Sequence, residues 1–183
     1  MEKKVDYYYS LYKNHTTIGE QNINIIMNGN IEKIYVELLL MGKKIEVDIK
    51  YIDGKLEGYA KKISEAGLIK EEKLYMIRKN EYSFYQYGKE GIITSGKPLA
   101  IYEKEVLLPN EIPEKVFSEK TIISLESLST YKIKYFPMEN GAYKIYMPER
   151  MMVEYGENYT FMYSLNLENG VETKLINSIC TLY

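Results

Sequence analysis

Hydrophobic and polar residues alternate along most of this chain with a period of two. In the segment KKIEVDIKYI, the apolar residues Ile45, Val47 and Ile49 point to one side, while the intervening residues are charged. This spacing is typical of a β-strand with one buried face and one face in water. No stretch of eleven or more residues shows the spacing of an amphipathic helix. The pattern therefore predicts an all-β protein.

The opening segment VDYYYSLY follows the same rule, although it holds three consecutive tyrosines. Tyr7, Tyr9 and Leu11 share one face of the predicted strand, and Tyr8 and Tyr12 share the other. Tyrosine suits a half-buried strand because its ring covers apolar surface while its hydroxyl reaches water. The aromatic run therefore predicts two half-stripes on opposite faces of one strand.

Turn sequences separate the strand candidates at short, regular intervals. They include KNHTTIG, NGN, MGKK, DG and EAG, of the kinds that close two-residue or slightly longer hairpin loops. Neighbouring strands joined by such turns must be antiparallel. The predicted strands of this meander are 4–13, 16–27, 31–41, 44–52, 55–64, 68–78 and 81–87.

The middle of the chain interrupts this rhythm. Residues 96–128 contain Pro98, Pro109 and Pro113, which disfavour a long strand, and PNEIPEKVFSE could form one helical turn. After this strap, alternation returns in hairpins whose strands are predicted at 129–136, 142–148, 158–167 and 171–183. We predict a single all-β domain over 1–183, with a meander at 1–95, a proline-containing strap at 96–128 and returning hairpins at 129–183.

A meander of this size is expected to curve strongly. Twist accumulates from strand to strand and open edges invite aggregation, so sheets of about ten strands tend to curl or close. The predicted fold is a single antiparallel meander that curves into a partial or complete barrel.

Composition narrows the class of partner. The formal net charge of −2 provides no basic surface for phosphates, so we expect no nucleic-acid partner. No stretch approaches the roughly 18 apolar residues of a membrane span. MEKKV has the charged start of a secretory leader, but DYYYSLYKN replaces its apolar segment. The localisation stays open: cytoplasmic if Met1 is the native start, or periplasmic or cell-envelope if a leader was removed.

Several short motifs resemble a group of uncharacterised bacterial envelope proteins, known as domains of unknown function. Their mature chains begin with a pattern that Tyr9, Leu11, Ile18, Gly19 and Glu20 match here, although Asn14-His15 replaces the usual glycine of the first turn. The segments YIDGKLEGYAKKI and LLPNEIPEKVF extend the resemblance over roughly residues 7–117. It implies a curved antiparallel sheet, as a half-barrel or spiral, in an exported protein. It implies no catalytic residues.

Catalytic and metal chemistry find little support in the sequence. His15, the only histidine, lies in a predicted turn, and neither a nucleophile motif nor a phosphate-binding loop is present. One histidine and one cysteine cannot make a standard zinc site, and we expect no catalytic residues, metal or cofactor. Cys180 could be a reactive thiol, but we favour its interpretation as a small buried strand residue.

The aromatic and apolar faces are the remaining functional signal. We predict a non-catalytic, envelope-type protein that binds an apolar or amphipathic, lipid-like ligand in its curved sheet. The alternative is a structural or protein-interaction module that pairs with a protein partner through a sheet edge or an aromatic face. The predicted ligand-binding residues are Tyr7, Tyr9, Leu11, Ile45, Val47 and Ile49.

Overall fold

A computed structural model of the chain describes residues 2–53, 55–78, 81–86, 89–94, 100–102, 120–124, 129–137, 142–146, 150–155 and 161–183. The described residues contain no helix, and the strands are β1 (Glu2–Lys13), β2 (Thr16–Asn28), β3 (Ile31–Leu40), β4 (Lys43–Ile52), β5 (Lys55–Glu65), β6 (Leu68–Arg78), β7 (Glu81–Gln86), β8 (Lys89–Thr94), β9 (Ala100–Tyr102), β10 (Lys120–Ser124), β11 (Ser129–Pro137), β12 (Ala142–Tyr146), β13 (Arg150–Tyr155), β14 (Phe161–Asn166) and β15 (Val171–Leu182). The all-β prediction is confirmed.

The strands are ordered β8-β7-β6-β5-β4-β3-β2-β1-β15-β14-β13-β12-β11-β10-β9 in one sheet. Consecutive strands from β2 to β8 pair antiparallel, as do those from β10 to β15. The order runs from β8 to β9 without closing on itself. The predicted antiparallel meander is confirmed.

One pair departs from the antiparallel pattern. β9 and β10 are parallel, with Ala100 opposite Ile122 and Tyr102 opposite Ser124. A parallel pair needs a connection of about a dozen residues or more, and the sequence between Tyr102 and Lys120 is long enough for one. The predicted strap therefore contains two short strands, and the helical turn predicted at PNEIPEKVFSE lies outside the described residues.

Sequence periodicity missed four of the strands. β8, β9, β10 and β13 have three to six residues each. A short run gives the alternation few positions, although β7, β12 and β14, with five or six residues each, were predicted. The other strands are confirmed, with ends that differ from the predictions by up to three residues.

The hairpin turns use left-handed backbone conformations. Both residues of the β1–β2 turn, Asn14 and His15, have positive φ (49° and 64°), and Met41 (49°) and Ala66 (51°) each precede a glycine with positive φ. Two consecutive positive φ values match the right-handed twist of the flanking strands. The predicted turn position of His15 is confirmed.

The chain divides into two compact units. The first comprises Met1–Tyr9, Gly19–Pro98 and Ile176–Tyr183, and the second comprises Ser10–Ile18 and Leu99–Leu175. The boundaries cut through β1, β2 and β15, so neither unit is a continuous stretch of chain. The single-domain organisation stays a prediction.

The core of the first unit consists of cross-strand rows of buried residues, all of them apolar except Gln21. One row runs through Ile25, Ile34, Ile49 and Tyr59, and its members are all buried. Parallel to it run the rows Ile23–Val36–Val47 and Gln21–Leu38–Ile45, also buried. Directly opposed side chains in such rows are the packing unit of a sheet. The core face that periodicity predicted on β4 is therefore correct.

The opposite face of these strands is polar. Lys44 Nζ lies 2.8 Å from a Glu37 carboxylate oxygen and 2.9 Å from one of Glu46, and the Tyr35 hydroxyl donates to Glu46 at 3.0 Å. The hydrogen bond from Lys44 is the largest influence that lowers the pKa of Glu46. Desolvation raises the pKa of Asp48, two residues along the same face. The two carboxyl groups therefore respond to their surroundings in opposite directions.

In the second unit, the β14–β15 turn is organised by Asn166. Its side-chain oxygen accepts hydrogen bonds from the backbone N–H groups of Glu168 (2.9 Å) and Asn169 (3.1 Å). Gly170 follows with φ of 72° and donates its N–H to the Asn166 carbonyl at 2.8 Å. Asparagine folds its side chain back on the following backbone readily. The predicted ENG turn is confirmed.

Candidate functional site

The residues predicted to bind a ligand are almost all part of the core. Tyr9, Ile45, Val47 and Ile49 are buried in the first unit, and Leu11 is buried in the second. Their side chains are covered by protein atoms, so a ligand could reach them only if the core opened. Ligand contact by these residues stays a prediction.

Tyr7 is the exception, because its side chain is only half-buried. Its ring centroid lies 6.4 Å from that of the buried Tyr9, with the rings tilted by 30°. Burial raises the pKa of the Tyr7 phenol, and the nearby Cys180 thiol raises it further. Tyr7 therefore marks the border between the core face of β1 and Cys180 on β15.

The pairing of β1 with β15 shows which residues share that face. The backbones of Glu2 and Tyr183 exchange two hydrogen bonds, of 3.2 and 2.9 Å, as directly opposed residues of an antiparallel pair do. Counting along both strands from this pair places Val5 opposite Cys180. Val5 is buried, whereas Cys180 is exposed. The interpretation of Cys180 as a buried residue is therefore wrong.

Cys180 lies in a segment of β15 that exposes several apolar side chains. Side chains alternate along a strand, so Leu182, two residues on, shares the face of Cys180. Ile176 is 61% exposed and Leu182 is 65% exposed. We call Ile176, Cys180 and Leu182 the β15 strip. Within the strip, Cys180 lies opposite the buried Val5.

Two more apolar side chains, Ile179 and Tyr183, are exposed on the face opposite Cys180, next to the half-buried Thr181. The sequence contained a signal for this arrangement: Ile179 and Leu182 are three residues apart, and an odd spacing puts apolar groups on opposite faces of a strand. The prediction of an ordinary half-buried strand over 171–183 overlooked this spacing.

Second-unit contacts on β15 are polar and aromatic. Lys174 Nζ lies 5.1 Å from the centroid of the Tyr12 ring and 5.9 Å from that of Tyr163, and 2.9 Å from a Glu172 carboxylate oxygen. Tyr163 and Glu172 are themselves hydrogen-bonded at 3.4 Å. A cation over a tyrosine face, neutralised by a carboxylate, is a common stabilising arrangement. We interpret this cluster as a contact that stabilises the fold.

Two kinds of feature were sought among the described residues: clusters of metal-ligating side chains and helices that could cross a membrane. Within that part of the chain, no group of three or more His, Cys, Asp or Glu side chains is placed to hold a metal ion. Over the same residues there is no helix of the length and apolarity needed to cross a membrane.

Comparison with known proteins gives a likeness at the level of fold. No family model matches the chain, and no curated protein matches it. Among solved structures, the chain is similar to the beta-barrel-like protein of domain of unknown function DUF1849 from Brucella abortus. The TM-score is 0.54 at 7% sequence identity, over 99% of this chain and 98% of that chain. The predicted resemblance to a domain of unknown function with a barrel-like antiparallel β-sheet is therefore confirmed, and the likeness shows the fold alone.

Proposed function

We propose that the protein is non-catalytic and binds an amphipathic, lipid-like ligand, as an envelope-type protein would. The observation that supports this proposal is the β15 strip, a set of exposed apolar side chains on the strand that pairs with β1. Tyr7 lies at the border of the two surfaces with its phenol half-buried. Apolar lining with a few polar points is the usual chemistry of a small-molecule site.

An acyl chain suits this surface better than a polar metabolite. Ile176 and Leu182 offer only hydrocarbon, and Cys180 behaves as a small hydrophobe with a weak donor. A chain laid along the strip would cover apolar surface that now faces water. Each methylene that becomes fully buried adds about 0.8 kcal/mol to the affinity.

The native thiol allows a direct test. Cys180 is the only cysteine and is exposed, so its reaction with a disulfide reagent such as DTNB reports access to the strip. We expect micromolar hexadecanoate to slow this reaction, and decanoate to slow it less. Native mass spectrometry of gently purified protein should show an added lipid-sized mass. If neither protection nor an adduct is found, ligand binding is refuted.

The second candidate function is the protein-interaction module. The observation that favours it is the opposite face of β15, where Ile179 and Tyr183 are also exposed. A ligand on the strip would leave these two side chains in water, whereas a partner protein could cover them. If the ligand proposal is right, hexadecanoate should no longer slow the reaction of Cys180 with DTNB in an Ile176→Ser, Leu182→Ser variant. In an Ile179→Thr variant, hexadecanoate should still slow this reaction. Equal loss in both variants would favour the interaction module.

A further inference from the structure

The first unit has two ends of opposite chemistry, although both are built from tight hairpin turns. At one end, the β2–β3 turn has Gly29 and Asn30, and Asp53 begins the β4–β5 turn. The Asn30 side chain donates to Asp53 Oδ1 at 2.9 Å, and the Asp53 N–H donates to the Asn30 carbonyl at 2.9 Å. These are the residues that such turns normally use.

Among the described residues, the other end includes the β3–β4 and β5–β6 turns, and these two turns are apolar. Met41 is 77% exposed, Leu68 is 65% exposed and Ile69 is 57% exposed, and Leu39 is exposed beside them. We call Leu39, Met41, Leu68 and Ile69 the apolar end. The two turns are two strands apart, so their centres are about 10 Å from each other.

Turn geometry does not account for these residues. Met41 has a φ of 49°, a conformation in which asparagine, aspartate and glycine are the favoured residues. A methionine there is strained and exposes a large apolar side chain at the tip of a hairpin. Strain of this kind is found more often at functional positions than elsewhere.

The apolar end wraps around the edge of the sheet and does not lie on one face. The register puts Leu68 in a row with Glu65, Lys43 and Leu40. The adjacent row contains Leu39 and Ile69 with Lys44 and Ser64, and so faces the other way. Met41 lies at the tip between the faces. A flat protein surface on one face of the sheet would leave the apolar side chains of the other face exposed to water. A lipid layer that surrounds the apolar end would cover all four side chains.

Area and charge point to the same kind of medium. Four side chains on two turns supply far less than the roughly 800 Å² per partner of a stable protein interface. The paired charges at this end are balanced, since Lys43 lies opposite Glu65, and Lys44 and Lys62 pair with Glu37 and Glu46. Balanced charge around an apolar tip suits insertion into a neutral surface better than attraction to an anionic one.

We propose that the apolar end docks the protein on a lipid bilayer, with Met41, Leu68 and Ile69 inserted among the headgroups and upper acyl chains. Each side chain inserts separately, so a bilayer sets no minimum area. Binding is driven by apolar burial and therefore changes little between zwitterionic and anionic lipid, or with salt.

The test is co-sedimentation with vesicles of phosphatidylcholine, and of phosphatidylcholine with 30% phosphatidylglycerol. We expect the protein to sediment with both, with affinities that agree within about threefold. A Met41→Asn, Leu68→Ser, Ile69→Thr variant should lose at least tenfold in affinity. Met41→Asn puts a residue that tolerates positive φ in the turn, so this substitution should not unfold the hairpin. Urea unfolding checks that the variant is folded.

The matched control removes three other exposed apolar side chains, all from β15, as Ile176→Ser, Ile179→Thr and Leu182→Ser. This control should bind vesicles as the parent does, but hexadecanoate should no longer protect its Cys180 from DTNB. The two assays therefore test the two proposals separately, and the failure of one proposal can be told from the failure of the other. A dye attached through Met41→Cys in a Cys180→Ser background should shift its emission to the blue on vesicle addition. Absence of vesicle binding, equal binding by the apolar-end variant, binding only to anionic vesicles, or self-association through these turns would each overturn the proposal.

Discussion

Gly19 offers the sharpest test of the sheet geometry, because the structure and the intrinsic preferences of the residues predict opposite signs. Gly19 lies in β2 opposite Leu40 of β3. A Cβ added to it would overlap the carbonyl oxygen of Leu39 and lie 3.1 Å from the Leu40 Cα. All of these atoms belong to the backbone, so no flexible side chain can move aside.

The magnitude follows from two opposing contributions. Gly19 is not among the residues with positive φ, so alanine can adopt its backbone conformation. In an uncrowded strand, replacing glycine with alanine should stabilise the fold by about 0.5–1 kcal/mol. Here β2 and β3 must separate to admit the methyl group, and backbone shifts forced by an added methyl group typically cost about 1–3 kcal/mol. We therefore expect Gly19→Ala to lower the free energy of unfolding by about 1–2 kcal/mol.

Urea unfolding followed by far-ultraviolet circular dichroism measures this change as a lower midpoint at an unchanged slope. The control is Glu20→Ala, which truncates the exposed neighbouring residue and should change stability by less than about 0.5 kcal/mol. Stability of Gly19→Ala equal to or above that of the parent would refute the close approach of β2 and β3. A similar loss of stability in Glu20→Ala would mean that any substitution in this part of the β2–β3 hairpin is destabilising, and that the close approach at Gly19 is not the cause.

Backbone conformation and charge make three other sites testable. Ala66→Gly should stabilise the protein by about 0.5–1 kcal/mol, because Ala66 has a φ of 51°, which glycine adopts without strain. The control Ala60→Gly, within β5, should destabilise the protein by a similar amount. The midpoints of urea unfolding should therefore shift in opposite directions. Because the pKa of Glu46 is lowered in the folded state, its ionised carboxylate stabilises the fold above about pH 4.5, and this stabilisation is lost as the pH falls through the pKa of the folded state. The pKa of Asp48 is raised in the folded state, so its contribution favours the fold below about pH 3.8 and is lost as the pH rises through the pKa of the folded state. Glu46→Gln should therefore destabilise and Asp48→Asn stabilise at pH 7, with both differences shrinking at pH 3, and the same sign for both in thermal melts would contradict the assignment. His15→Gln should change the free energy of unfolding by less than about 0.5 kcal/mol, and a loss above about 2 kcal/mol would mean that this turn residue has a role we have not identified.

The type of fold was predictable from the sequence because its signals are local. Alternation in β4 identifies Ile45, Val47 and Ile49 as the buried face, since successive side chains on a strand must point to opposite sides. Turns such as NGN and MGKK determine that neighbours are antiparallel, because a two-residue loop cannot reach a parallel position. Long strands with clear turns were therefore predictable within a few residues, whereas strands as short as Ala100–Tyr102 were not.

The apolar residues that are available to a partner could be identified only from the tertiary structure. Alternation assigned Tyr9 and Ile45 to an apolar face, but a buried core and an open groove have the same pattern, and these residues proved to be buried. Cys180 was expected to be covered and is exposed, as is Leu182, because cover depends on what packs against a strand from elsewhere in the chain. The apolar end likewise became visible only through the register, which brings two turns distant in sequence to one end of the sheet. The exposure of a side chain depends on every element that packs against it, so the local periodicity of the sequence cannot predict it.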